Sequence, residues 1–311
     1  MPPRSPLPRR HGLDASWLRT PDNVPGTAAP WATMGEYLDH RLGAHLDVAG
    51  MLAERRFVDT GGRPWLGSDS YRGNAFVWFH RDRGPEVEVP FDLTVLHADG
   101  RIVVVDKPHF LATTPRGTHV TQSVVSILRQ RLGLPDLVPA HRLDRLTAGV
   151  LLLTVDRSDR GAYAGIFASR AAEKTYEAIA GFDPRLDFPR TETGRIVKDR
   201  GNLQAQLVAG EPNATTHLEL LETRAGYGRY RLRPTTGKTH QLRLQLSALG
   251  IPIVGDPLYP DVLDVAADDF STPLRLVARS LRFTDPVDGR PREFTSGVRI
   301  DWPDAAAPAA R

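Results

Sequence analysis

The alternation of apolar and polar positions changes character several times along the chain. Up to about residue 30 there is little periodicity, only proline and arginine in mixture, so 1–30 is expected to be a disordered arm. From Trp31 the spacing becomes helical. Thr33 to Leu42 reads as a helix, with Thr33 as N-cap and Glu36 at capping-box spacing. A second short helix is expected from Val48 to Glu54. Phe57-Val58 and Phe76-Val77-Trp78-Phe79, with Gly61-Gly62 between them, read as short strands and turns. Residues 31–89 are accordingly read as an N-terminal extension.

The main body is expected over 90–302. Arg101 to Asp106 is an apolar run closed by Lys107-Pro108, because proline cannot donate to a ladder. Thr121 to Leu132 is helical, with Val124, Val125, Leu128 and Leu132 on one face, and Gly133 suits its C-cap. Val150–Val155 reads as a strand and Asp156–Arg170 as a helix carrying Tyr163, Ile166 and Phe167 inward. In the strand Lys174–Ala180, Lys174, Tyr176 and Ala178 share one face. Further strands are expected at Arg195–Val197, Gln204–Val208, Thr215–Leu221, Arg229–Arg233, Leu276–Phe283 and Glu293–Ser296. A helix from Thr239 to Leu249 ends at Gly250. Many strands with few helices between them predict an α+β fold on a mixed, mainly antiparallel sheet. The Ala- and Pro-rich tail, 303–311, is expected to be disordered.

A chain of 311 residues has room for one large domain and an appendage. With 41% hydrophobic and 25% charged residues it has the composition of a soluble globular protein. No apolar stretch approaches the roughly 20 residues of a membrane span, and Met1 to Arg10 has no apolar core of a secretory signal. The absence of cysteine excludes disulfides, thiolate zinc sites and a thiol nucleophile, and fits a cytoplasmic address. Net charge is only +3, but Arg4, Arg9, Arg10 and Arg19 against Asp14 make the first segment a basic arm of the kind that can track phosphates.

One stretch carries chemistry. His141-Arg142-Leu143-Asp144-Arg145-Leu146-Thr147 is a polar cluster with one carboxylate, running straight into Ala148–Leu153. That puts Asp144 in a loop at the mouth of a buried strand, where a nucleophile or base is useful. By itself an arginine two residues before an aspartate is as often a solvated pair.

The surrounding words resemble the RluA-type RNA pseudouridine synthases. His141-Arg142-Leu143-Asp144 with Thr147-Ala148-Gly149 is similar to that family's His-Arg-Leu-Asp motif. Val103-Val104-Val105-Asp106-Lys107-Pro108 resembles its Lys-Pro motif, and Glu173-Lys174-Thr175-Tyr176 its Lys-x-Tyr strand. Arg233-Pro234-Thr235-Thr236-Gly237-Lys238-Thr239-His240-Gln241-Leu242-Arg243 resembles its Thr-Gly-Arg-Thr-His-Gln-Ile-Arg segment, continued by Gly250 to Tyr259. The likeness covers roughly 90 to 300. It implies the pseudouridine synthase fold and the conversion of uridine in structured ribosomal or transfer RNA to its carbon-linked isomer, without metal or cofactor and without an obligate protein partner, by a monomer. It also assigns roles. Asp144 is the catalytic carboxylate, attacking the anomeric carbon or removing a sugar proton. Arg243 is its partner, expected to grip it bidentately and keep it ionised. Tyr176 walls the uracil site, and its hydroxyl can help remove the carbon 5 proton. Arg142 fills the gap left by the extruded base. His141 shapes the loop, and Lys174 and Leu244 line the RNA or uridine site. Three positions depart from the family's pattern: Ala148 stands for Ser, Lys238 for Arg and Gln245 for His.

Two other readings compete. An RNA-binding homologue without catalysis would act in RNA folding or ribosome assembly. A glycosidase needs two opposed carboxylates, with Asp256 as the second, but Gly255-Asp256-Pro257 reads as a turn. The order helix, helix, small strands in 31–89 resembles an alpha-L RNA-binding domain; a family-specific extension that packs on the main domain is the alternative.

Overall fold

The computed structural model describes residues 2–23, 29–82, 84, 86–117 and 119–303. The chain divides into two compact units, 1–86 and 87–311.

In the first unit, strand β1 (Ser16–Arg19) pairs antiparallel with β2 (Phe76–Phe79), and helices α1 (Met34–Leu42) and α2 (Val48–Ala53) lie between them in sequence. Thr33 caps α1 by accepting from Glu36 N at 3.2 Å, and the Glu36 carboxylate accepts from Ala32 N at 2.7 Å. Met34, Leu38, Phe57, Val77 and Phe79 form the core of this unit. The expectation of disorder through residue 30 is corrected here. The basic segment contributes a strand, its Arg9 pairs with Asp14 at 2.7 Å, and Arg10 approaches Asp82 at 3.7 Å. Proline and arginine hid the short alternation in Ser16-Trp17-Leu18-Arg19, whose partner lies 60 residues away in β2. The unit therefore begins well before residue 31. Of the tail expected to be disordered, 304–311 lie outside the described residues.

The second unit holds a large sheet made, in chain order, from β3 (Thr94–Ala98), β4 (Ile102–Lys107), β5 (Val138–Pro139), β6 (Ala148–Thr154), β7 (Glu173–Gly181), β8 (Arg190–Val197), β9 (Gln206–Val208), β10 (Ala214–Arg224), β11 (Tyr227–Pro234), β12 (Leu276–Thr284) and β13 (Pro291–Thr295). Its main path runs β3-β4-β6-β12-β7-β11-β10-β8-β9, with β13 on β12 and β5 on β6. Helices α3 (Val124–Arg131), α4 (Arg160–Ala168) and α5 (Gln241–Ala248) flank it. Every pairing is antiparallel except β6 with β12, so the sheet is mixed and mainly antiparallel as expected.

The centre is apolar on both faces. All of β4 and β6 is buried, which is why both read as unbroken runs of Val, Ile and Leu rather than as alternating strands. One cluster packs α3 (Val124, Val125, Leu128) on Val103, Val105, Leu151 and Leu153; another packs Tyr163 and Ile166 of α4 on Ile102, Val104 and Leu152. At the parallel junction the backbones come very close. Gly149 has φ +111°, and a Cβ there would lie 2.3 Å from the Ala278 carbonyl oxygen. Only glycine fits, so the glycine of the Thr147-Ala148-Gly149 word is a packing requirement.

Candidate functional site

Asp144 sits where the sequence placed it, in a turn that empties into β6. Four consecutive backbone carbonyls of this turn are held. Thr113 Oγ1 donates to Leu143 O (2.7 Å) and accepts from Leu143 N (3.2 Å); Thr147 N donates to Asp144 O (3.1 Å). Lys107 Nζ donates to Arg145 O (3.1 Å), and His109 Nδ1 donates to Leu146 O (2.7 Å). Three of these anchors come from the single segment 107–113 that follows β4. The Asp144 side chain stays 31% exposed, so a fixed backbone presents an accessible carboxylate.

Lys107 is the unusual member. It is fully buried, and its ammonium donates to three carbonyls, those of Pro108 (2.9 Å), Leu111 (2.8 Å) and Arg145. Burial pulls its pKa down to about 7, opposed by the charge of Asp144. Lys107→Met is expected to strand those three carbonyls, at roughly 1–3 kcal/mol for each one left without a donor. A fall in both urea midpoint and turnover is the expected result; an unchanged protein would mean that water replaces the ammonium.

Arg243 lies on α5, whose orientation is set by two glutamines. Gln241 Oε1 accepts from Lys238 N (3.0 Å) and Thr236 Oγ1 (2.8 Å), and its amide donates to Thr215 O (3.1 Å). Gln245, the departure from histidine, accepts from buried Thr216 Oγ1 (2.7 Å) and donates to Glu192 O (3.2 Å). His240 precedes the helix in left-handed conformation, φ +58°, which is why α5 begins at Gln241 rather than Thr239. Its Nδ1 lies 3.0 Å from the Tyr259 hydroxyl.

The guanidinium of Arg243 is 2% exposed and approaches Asp144 Oδ2 through Nη1 at 3.8 Å. The expected bidentate grip on Asp144 is corrected: that grip belongs to Asp256. Arg243 Nε donates to Asp256 Oδ2 (2.7 Å) and Nη2 to Oδ1 (2.5 Å), while the Asp256 carboxylate has no exposed surface. Asp256 is also a turn residue, accepting from Leu258 N at 2.9 Å. Two charge-assisted bonds fix the fork and leave one edge facing Asp144. A carboxylate so enclosed and doubly bound cannot act as a glycosidase's second acid, which removes that reading.

The other expected residues separate into two groups. Tyr176, on β7, packs between the two largest apolar clusters; burial and the Asp144 charge both raise its pKa, so the phenol stays neutral. That argues against its hydroxyl as a base for the carbon 5 proton. His141 accepts from Leu152 N through Nε2 (3.1 Å) and stacks on Phe167 at 4.3 Å; burial pushes its pKa down to about 3, so it remains neutral. Arg142 is exposed. Lys174 donates to Thr236 O (2.9 Å) and so ties β7 to the turn before α5. Leu244 packs on Ile196, Ala205 and Ala214, an apolar role of the kind any core leucine fills. Lys107, His109 and Thr113 escaped the sequence reading as site residues, and Asp256 entered it only as the second acid of the glycosidase reading. The only available signal was a charged residue at the end of an apolar run, in Lys107, and a lone acid after a glycine, in Asp256. Among the described residues there is no cluster of His, Asp and Glu fit to hold a metal.

Known proteins resemble this chain in sequence and in fold. A family model described as RNA pseudouridylate synthase matches residues 101–248. The dual-specificity RNA pseudouridine synthase RluA of Haemophilus ducreyi is 32% identical, over 71% of this chain and 98% of its own. The tRNA pseudouridine synthase C of Vibrio cholerae is 30% identical, over 68% of this chain and 93% of its own. Among solved structures, human RNA pseudouridylate synthase domain containing 1 aligns with a TM-score of 0.54 at 25% identity, covering 70% of this chain and 86% of that one. With the fold and the ordered motifs in place, these likenesses identify the chain as a member of the RNA pseudouridine synthase family, of the RluA type.

Proposed function

We propose that this enzyme isomerises uridine within a structured ribosomal or transfer RNA, with Asp144 as the reacting group. Two relatives support that substrate class, one a dual-specificity RNA pseudouridine synthase and one a tRNA pseudouridine synthase. The observation that carries the reading is the accessible Asp144 carboxylate, 3.8 Å from a buried guanidinium whose other edge is already held. A buried arginine with one edge turned toward an accessible carboxylate favours catalysis over RNA binding alone.

The chemistry follows from that placement. The bond from carbon 1′ to nitrogen 1 breaks, uracil turns, carbon 5 bonds to carbon 1′ and gives up its proton to solvent, and nitrogen 1 takes up a proton, so the product is an isomer of the substrate. An ionised Asp144 serves either as nucleophile at carbon 1′ or as base toward carbon 2′. Arg243 positions it, and Tyr176 supplies a flat wall against which a freed uracil turns. We read the enzyme as a monomer, since the groups named suffice for the reaction without a second protein, and an RNA substrate fits a cytoplasmic address. Mapping pseudouridine across all RNA from cells with and without the gene tests the assignment. Loss of one or a few sites is expected; an unchanged map would overturn it.

Arg142 is exposed and stands two residues before Asp144, and we read it as the side chain that fills the gap of an extruded base. Extrusion costs a few kcal/mol in folded RNA and little in an unstructured strand. Arg142→Ala is therefore expected to slow turnover of a stem-loop at least about tenfold more than that of a short single strand. Equal losses on both would reduce Arg142 to a phosphate contact.

A further inference from the structure

An aromatic group beside the Asp144 turn has no part in the chemistry above. Phe110 has φ +65°, a conformation that a bulky residue adopts only when its surroundings hold it there. Its buried ring is held by three partners. Phe91 stacks on it, centroids 6.0 Å apart and planes 15° from parallel, and Phe270 meets it edge-on at 5.3 Å. The third partner is the Arg145 guanidinium, 6.0 Å from the ring centroid. Phe91 itself is 44% exposed although one of its faces is covered. Arg145 is half-buried, and among the described residues no carboxylate lies within ion-pair distance of it.

A single exposed aromatic is ordinary on a protein surface. This one differs in its seat. A strained backbone and two further rings hold it, and a guanidinium without a carboxylate stands over the same group, one residue from Asp144. A flat π-face beside an unpaired guanidinium suits a nucleobase and its phosphate better than it suits a peptide. We propose that Phe91, seated on Phe110 and Phe270 and flanked by Arg145, is a stacking subsite for a base of the RNA substrate close in sequence to the target uridine. The inference rests on the reading of Asp144 as the reacting group, because that reading brings the RNA to this edge.

Three variants at this exposed position test it, on a stem-loop transcript of the mapped site labelled with uridine tritiated at carbon 5. Phe91→Ala is expected to raise KM roughly 5- to 150-fold, the worth of stacking one base, with kcat within about twofold. Phe91→Leu keeps apolar packing on Phe110 but has no π-face, so it is expected to follow Ala; Phe91→Trp is expected to restore KM. With 2-aminopurine placed in turn at positions flanking the target, binding to the parent enzyme is expected to quench one position, and Phe91→Ala to abolish that quench alone. A parental KM in the Ala or Leu variant, a loss confined to kcat, or a quench that survives Phe91→Ala would each overturn the subsite. Failure of the parent enzyme to release tritium is a distinct result, and it counts against the proposed function on which the subsite rests.

Discussion

Asp144→Asn is expected to abolish pseudouridine formation, by at least roughly 10⁴-fold, the scale seen when a lone catalytic group is removed. Asparagine keeps the shape of the side chain but can neither attack carbon 1′ nor take a proton from carbon 2′. The substitution should leave the fold intact, since the four carbonyl anchors of the turn are backbone groups and the side chain is partly exposed. Affinity for RNA is expected to stay within about threefold, because one carboxylate contributes little to phosphate binding. Tritium release and filter binding on the same transcript check both halves. Asp144→Ala serves as control, since an asparagine can slowly hydrolyse back to aspartate. Substantial turnover by either variant would sink the assignment.

The second large effect is expected at Asp256. Asp256→Asn removes the charge that balances a guanidinium with almost no exposure and leaves it only the more distant Asp144. Breaking a buried pair by removing one partner costs about 3–5 kcal/mol. A fall of that size in unfolding free energy, read from urea midpoints, is expected together with loss of turnover. A double variant separates the two effects. Arg243→Met with Asp256→Leu replaces the pair with apolar groups and is expected to recover most of the stability, as buried pairs replaced as a unit often do, while staying inactive. Recovery of turnover by the double variant would show that Arg243 does not position Asp144.

Much of the body was legible because its signals are local. β4 and β6 announce themselves as apolar runs, α1 carries its capping side chain Thr33 in sequence, and α3 shows an apolar face of Val124, Val125 and Leu128. Asp144 stood out because a lone carboxylate lies four residues before such a run, and the role expected of it came from the resemblance. β3 was not, since its Thr-Val-Leu-His-Ala is a half-exposed edge strand with little apolar contrast. The anchors of the Asp144 turn were hidden for another reason. Lys107, His109 and Thr113 act on carbonyls 30 to 38 positions later, so even Lys107, marked by its place at the end of an apolar run, gave no sign of what it holds. Asp256 satisfied a local explanation, the turn, that was true and incomplete.

The parallel junction of β6 with β12 bears on how the enzyme is made. β6 begins four residues after Asp144, yet the strand that closes its open side starts at Leu276. While the ribosome works through the residues between them, Gly149 and its neighbours present unpaired backbone groups, the kind of edge that invites aggregation or proteolysis. A chain arrested before β12 would hold every residue named in the reaction, Asp144, Tyr176 and Arg243, and still lack the strand that pairs with Ala148 and Gly149 just after the catalytic turn. Competence thus arrives late in synthesis, and a truncation that spares all the motifs is no guide to a working enzyme.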